Sequence, residues 1–193
     1  MMSPKEAKEL QDRISIYNDQ KAFGQLYTAY LPYLIEFAKS IIKNHELAEE
    51  IVSDVFIKIW QNRAALTKIE NFRLYLYIST KNTALNYLSR HFRKKIISLD
   101  EMSLNIHTSP YDPEQQLITN EAVKKINQEI AKLPPRCKLI FKLVKEDRLK
   151  YNDIAELLNI SVKTIDSQMS IALKKISTAI QLELKPLTKL SNN

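Results

Sequence analysis

"YNDIAELLNISVKTIDSQMSIALKKI", residues Tyr151 to Ile176, carries two apolar stripes separated by a short turn. Tyr151, Ile154, Ala155 and Leu158 recur at three- and four-residue intervals, which puts them on one side of a helix; Ile165, Met169, Ala172 and Ile176 do the same for a second helix. Asn159, Ile160 and Ser161 form the turn between them, and the Ser161 hydroxyl is suited to accept from an orphan amide one turn on. A helix-turn-helix needs a small residue where the second helix crosses the first, an apolar plug in the turn, and a polar outward face on the second helix. Ala155, Ile160 and the face made by Lys163, Asp166, Ser167, Ser170 and Lys174 meet these requirements. The pattern predicts a DNA-reading helix pair, and a helical hairpin that only packs is the alternative.

The rest of the chain narrows the choice. Its 193 residues suffice for one ordinary domain or two small ones, and 45% hydrophobic content is enough for real cores. A single glycine, Gly24, leaves almost no chemistry for hairpins or phosphate-cradling loops, so an all-α fold is expected. Cys137 is the one cysteine, which excludes an internal disulfide and any cysteine-rich metal site. With no signal-like start and no long apolar run, the chain reads as cytoplasmic. The formal net charge of +7 suits a partner with a phosphate backbone or an acidic surface. Residues 1–95 carry 15 basic against 10 acidic side chains, residues 96–118 carry 0 against 4, and residues 119–193 carry 14 against 8.

That acidic middle contains "SLDEMSLNIHTSPYDPEQQ", Ser98 to Gln116, rich in turn formers and without a sustained period. We expect a flexible linker over 98–118 joining two small helical domains, 1–97 and 119–193, the second holding the helix-turn-helix. In the first, Phe23 to Ile42 is an apolar-rich helical stretch in which Pro32 is expected to start or kink a helix. "LAEEIVSDVFIKIW" places Leu47, Ile51, Val55 and Ile59 four apart, with Ala48, Val52, Phe56 and Trp60 beside them, and leaves Glu49, Glu50, Ser53, Asp54, Lys58 and Gln61 largely on the other face. Asn71 to Lys95 reads as one long helix or two abutting ones ending in a basic cluster. In the second, Val123, Ile126, Ile130 and Leu133 form an amphipathic helix stopped by Pro134 and Pro135, and a further helix turns Leu139, Ile140, Leu143 and Val144 inward.

Three of these stretches, in this order, resemble the extracytoplasmic-function sigma factors of the sigma-70 family, over about residues 20–180. "AEEIVSDVFIKIWQNR" resembles the region-2 helix that docks on the clamp of RNA polymerase, and "FRLYLYISTKNTALNYLSR" the helices that open and read the minus-ten element. "LPPRCKLIFKLVKEDRLKYNDIAELLNISVKTIDSQMSIALKKI" is similar to region 4, which reads the minus-thirty-five element. The resemblance implies that Glu49, Glu50, Asp54 and Lys58 meet core polymerase, where carboxylates pair with basic side chains. It implies that Tyr75 and Tyr77 stack near the melted promoter, each ring having a buried-core alternative. Asn82, with Asn86 one turn on, would line the pocket for a flipped base. Arg90, Arg93 and Lys94, with Lys95, would clamp phosphates. In the recognition helix Lys163 and Lys174, beside Lys175, suit phosphates, while Thr164, Ser167, Gln168 and Ser170 lie within reach of base edges. Here "TIDSQ" replaces the "TVRSR"-like run of many relatives, and a carboxylate at Asp166 cannot donate to guanine's acceptor edge.

The implied partners are core RNA polymerase, promoter DNA and an anti-sigma factor, often membrane-bound in this family. A non-sigma helix-turn-helix regulator is the alternative, and it leaves the Leu47 to Trp60 helix without a role. An enzyme acting on nucleic acid fits less well. His45, His91 and His107 lack metal-ligand spacing and no nucleophile is paired with a base, so no catalytic residue, metal, cofactor or small-molecule substrate is expected.

Overall fold

A computed structural model of the chain describes residues 2–91 and 126–187, with side chains as far as residue 178. No strand occurs among the described residues, and they fall into two helical regions. The first comprises α1 (Pro4–Tyr17), α2 (Gln20–Ile42), α3 (His45–Gln61), a 3-10 turn over Arg63–Lys68 and α4 (Phe72–His91). The second begins with a helical stretch, α5, described over 126–131, and continues through α6 (Pro135–Lys145), α7 (Tyr151–Leu158) and α8 (Val162–Leu187).

Aromatic contacts knit α2 to its neighbours. Phe23 and Tyr27 meet Phe56 of α3 edge-on at 6.0 and 4.9 Å, Tyr30 meets Phe72 at 5.9 Å, and Phe37 lies 5.0 Å from Tyr77 of α4. Such pairs add about 0.5–1.5 kcal/mol each beyond the area they bury. The predicted stripe of α3 is inward: Ala48, Ile51, Val52, Val55, Phe56 and Ile59 are buried, while Leu47 and Trp60 are half-buried.

Two elements went unpredicted. α1 starts with a capping box, Ser3 Oγ accepting from Glu6 N while Glu6 accepts from Ser3 N, and with Pro4 inside its first turn. Its buried Gln11 donates to the Leu66 and Ile69 carbonyls, at 2.9 and 3.1 Å, and so ties α1 to the 3-10 turn. Pro32 does not start a helix. It lies within α2, where its missing N–H leaves the Thr28 carbonyl without its helical partner.

Asn71 to Lys95 is one helix as far as His91, beyond which the basic cluster lies outside the described residues, as do Val123 and the whole expected linker over 98–118. Pro134 and Pro135 do not merely stop a helix, because Pro135 opens α6, a position that tolerates the missing amide.

Glycine does not supply the left-handed caps. Asn18, Lys43 and Asn159 take them, at φ of 51, 59 and 53°, after α1, α2 and α7. Gly24 instead sits inside α2 on its exposed side, with no atom within 4 Å of where a Cβ would be. Gly24→Ala should therefore stabilise the protein by about 0.5–1 kcal/mol, the helix-interior cost of glycine. Urea denaturation measures it, and an unchanged or lowered midpoint would refute the open-space geometry.

Candidate nucleic-acid interface

The second region builds its helix-turn-helix from the predicted parts. Ile154, Leu157 and Leu158 of α7 and Ile165, Met169, Ala172 and Ile176 of α8 are buried together, with Ala155, Ile160 and Tyr151 half-buried against them. Leu157 was missing from the expected stripe and is fully buried, widening the apolar face of α7. The turn is closed by Ile160 N donating to the Ala155 carbonyl at 3.1 Å, and Ser161 Oγ caps α8 by accepting from Thr164 N at 3.0 Å.

Burying that stripe turns Lys163, Asp166, Ser167, Ser170 and Lys174 to solvent along α8. Thr164 and Gln168 are half-buried. The Thr164 hydroxyl lies 2.8 Å from Ser161 Oγ, so it serves the cap in this state, and the Ser167 hydroxyl donates to the Lys163 carbonyl at 2.9 Å, leaving its lone pairs outward.

On α4, burial of Phe72, Leu76, Thr80, Ala84 and Leu88 leaves Tyr75, Asn82 and Asn86 on one exposed face, with Arg90 exposed near its end. Tyr77 does not join them. Its ring is completely buried against Phe37, because its position falls on the inward stripe, and burial pushes its hydroxyl well above the usual tyrosine range. The stacking role expected of Tyr77 is therefore withdrawn, and Tyr75 is the ring α4 presents. Arg93 and Lys94 lie outside the described residues.

Glu49, Glu50, Asp54 and Lys58 all point outward from α3, with Glu49 Oε1 3.3 Å from His45 Nε2. Beside them Ile57 is 53% exposed and borders an apolar groove with Phe23, Tyr27, Phe56 and Trp60. Sequence reasoning missed Ile57. Its signal was an isoleucine off the inward stripe, directly between Phe56 and Lys58. Trp60 is held by the Arg63 guanidinium, 4.7 Å above its ring. Among the described residues no group of three or more His, Cys, Asp or Glu is placed to hold a metal ion, and no helix is long and apolar enough to cross a membrane.

The second region is a capped helix-turn-helix with an exposed polar face on its second helix, the architecture of a class of helical nucleic-acid-binding proteins. Comparison with known proteins gives the class. Residues 26–94 match the family described as Sigma-70 region 2 and residues 124–176 match Sigma-70, region 4, together more than half of the chain. The chain is similar to the ECF RNA polymerase sigma-E factor of Haemophilus influenzae, 26% identical over 170 residues that span 84% of this chain and 89% of that protein. It is similar to the ECF RNA polymerase sigma factor SigW of Bacillus subtilis, 23% identical over 158 residues, 78% and 84% of the two chains. The solved structure of CnrH in complex with the cytosolic domain of CnrY superposes with a TM-score of 0.51 at 18% identity, covering 92% of this chain and 98% of that one, which supports the fold.

The chain belongs to the sigma-70 family, in its extracytoplasmic-function branch. It is a sigma factor, binding core RNA polymerase, directing it to promoters and helping to open the DNA; the non-sigma regulator is not favoured, since region 2 accounts for the helix that reading left idle. Sigma factors are in general initiation factors without enzymatic activity.

The two tyrosines separate cleanly by stability. Tyr77→Ala should cost about 3–5 kcal/mol, as for a buried aromatic, whereas Tyr75→Ala, which loses an exposed ring stacked on Phe72 at 6.4 Å, should cost about 0.5–1.5 kcal/mol. Denaturant unfolding of both variants checks this, and equal losses would show that Tyr75 is also core.

Proposed function

We propose that residues 1–97 hold core polymerase and read the minus-ten element, that 119–193 read the minus-thirty-five element, and that 98–118 joins them. The observation carrying this division is the exposed face of α4, where Tyr75, Asn82 and Asn86 align opposite the buried stripe. An amide both donates and accepts along a base edge, and an exposed ring offers a stacking surface, so this face suits unpaired bases better than duplex phosphates. Arg90, Arg93 and Lys94 then hold the adjoining backbone. On α8, Lys163 and Lys174 contact phosphates while Ser167 and Ser170 face bases; Thr164 and Gln168, half-buried, contribute at the edge of the contact.

Glu49, Glu50, Asp54 and Lys58 form the polymerase contact, the carboxylates meeting basic side chains and the neighbouring Ile57 groove adding an apolar centre, the arrangement of an interface with a polar rim. The protein works in the cytoplasm, makes or breaks no covalent bond, and uses neither cofactor nor metal. It is held by an anti-sigma factor in the uninduced cell. The complex of CnrH with CnrY, whose fold this chain shares, is the support for such a partner.

Run-off transcription with purified core polymerase across a set of genomic promoters tests the whole reading; absence of any promoter-specific transcript would sink it. Asp54→Arg reverses an exposed charge without touching the core, so affinity for core polymerase in a fluorescence titration should fall while helicity is kept. Unchanged affinity removes Asp54 from the contact.

Asn82→Ala and Lys174→Ala should fail differently. The first should lose discrimination at one minus-ten position and reduce permanganate-detected opening, with little change in salt dependence. The second should weaken upstream binding evenly across sequences and lower the salt slope by about one unit. Opening of every promoter variant by Asn82→Ala as by the parent would discard the base pocket, and an unaltered slope would leave Lys174 as a solvated side chain.

A further inference from the structure

Asp166, the fifth residue of α8, is the only acidic side chain among those described on this helix, against Lys163, Lys174 and Lys175. It is exposed, and spacings of three and four residues put Lys163, Asp166, Ser170 and Lys174 on one line along the outer face. A helix can carry a carboxylate for its own stability, and α8 does not use Asp166 in that way. The favourable field at a helix start fades within the first turn, which here holds no acidic residue, and Ser161 Oγ already serves an orphan amide there. Among the described residues Asp166 makes no salt bridge, not even with Lys163 one turn before it. An exposed carboxylate brought against DNA is repelled by the phosphates, so its place on this face calls for a compensating contact.

The position of Asp166 along the helix supplies one. Lys163 and Lys174 lie ~16 Å apart along the axis at ~1.5 Å per residue, against a major groove ~12 Å wide. Their flexible stems can reach phosphates on either wall, while Asp166 and Ser170 between them face the floor of the groove. The N-terminal part of a recognition helix is the part that meets base edges, and Asp166 belongs to its second turn.

A carboxylate only accepts hydrogen bonds, so it needs a base edge that donates. In the major groove guanine shows two acceptors, N7 and O6, and thymine shows O4 and a methyl group, which leaves cytosine N4 and adenine N6. These two amino groups are not equivalent to an incoming anion. Adenine N6 sits between two acceptors, its own N7 and O4 of the paired thymine, and both repel the carboxylate. Cytosine N4 has an acceptor on one side only, O6 of the paired guanine, and a C–H edge on the other. Cytosine is therefore the base that Asp166 meets at least cost.

We propose that Asp166 is a specificity-determining residue of α8, selecting a cytosine in the upstream duplex by accepting a hydrogen bond from its N4 amino group in the major groove. This selection rests on the DNA-reading role assigned to α8 above. It works by repulsion as much as by attraction, because guanine or thymine at that position sets an acceptor against the carboxylate. Lys163 and Lys174, bound to phosphates, are indifferent to the base and offset the charge that Asp166 brings. Preference for cytosine over guanine should reach about fivefold or more, the lower end of the effect of one mismatched base pair.

Asp166 is exposed, so its replacement leaves the core untouched. Holoenzyme reconstituted from core polymerase and the full-length chain is used to select from a pool of random-sequence duplexes, and the bound fraction is sequenced. We expect the parent to enrich cytosine at one position of the upstream motif. Asp166→Ala should lose that preference and no other, and should bind duplexes with guanine there more tightly than the parent does, since the charge repelled by O6 has gone. Asp166→Asn should turn the preference toward adenine, whose N6 and N7 match an amide. A purely structural part for Asp166 would instead weaken binding to all sequences alike, and that result overturns the proposal. So does guanine, thymine or adenine in the parent's motif at the position the variants alter. If Asp166→Ala leaves every position unchanged while the parent still enriches a motif, α8 reads DNA and Asp166 does not. If the parent enriches no upstream motif, the role assigned to α8 fails and the cytosine contact fails with it.

Discussion

Phe37 against Tyr77, Tyr30 against Phe72, and Phe23 and Tyr27 against Phe56 set how α2, α3 and α4 turn about their own axes. An α-helix repeats every 3.6 residues, so once one stripe is committed to such contacts the opposite stripe has a single direction left. The outward carboxylates of α3 and the Tyr75, Asn82 and Asn86 face of α4 follow from that rotation. Whether a side chain reaches the surface is decided here by its angle on the helix as much as by its chemistry, and the neighbouring fates of Tyr75, exposed, and Tyr77, buried, show it.

The same constraint runs through the second region with different fittings. α7 is only Tyr151–Leu158, and a helix so short gains little from its own hydrogen bonds. It is stabilised by burying Ile154, Leu157 and Leu158 on α8 and α6, by the left-handed Asn159 that ends it, and by the Ser161 cap that starts its partner. α8 is thus anchored where it leaves the turn, and that anchoring sets the direction of the exposed face of Lys163, Ser167, Ser170 and Lys174. Asp166 stands on this face, so a carboxylate lies among its exposed side chains, and a carboxylate accepts hydrogen bonds without donating them.

A sigma factor has to grip polymerase and DNA at sites far apart, yet remain folded when it holds neither. The buried apolar residues of both regions form one cluster, and hydrogen bonds from Asn71, Arg73 and Lys81 cross beside it. Apolar burial holds both regions together, and these hydrogen bonds, two to backbone carbonyls and one to the Asp153 carboxylate, add direction to it. The Lys142 and Asp147 pair is buried within the second region, so removing either partner would leave a costly unpaired charge.

The fold class, the helix-turn-helix, its Ser161 cap and the inward stripe of α3 were all legible in the residue pattern, because each depends on contacts three or four positions apart. The capping box at Ser3 and Glu6 was legible in the same way and was passed over, so α1 was missed. The burial of Tyr77, the continuity of α2 through Pro32, the exposure of Ile57 and the capping of α7 by Lys81 were not legible. Each depends on what a distant helix brings alongside: Phe37 beside Tyr77, α3 and α4 bracing α2, empty space beside Ile57, and an unpaired Leu157 carbonyl within reach of a lysine 76 positions earlier. Local periodicity assigns a residue to a stripe, and only the packing of the stripes decides which atoms meet.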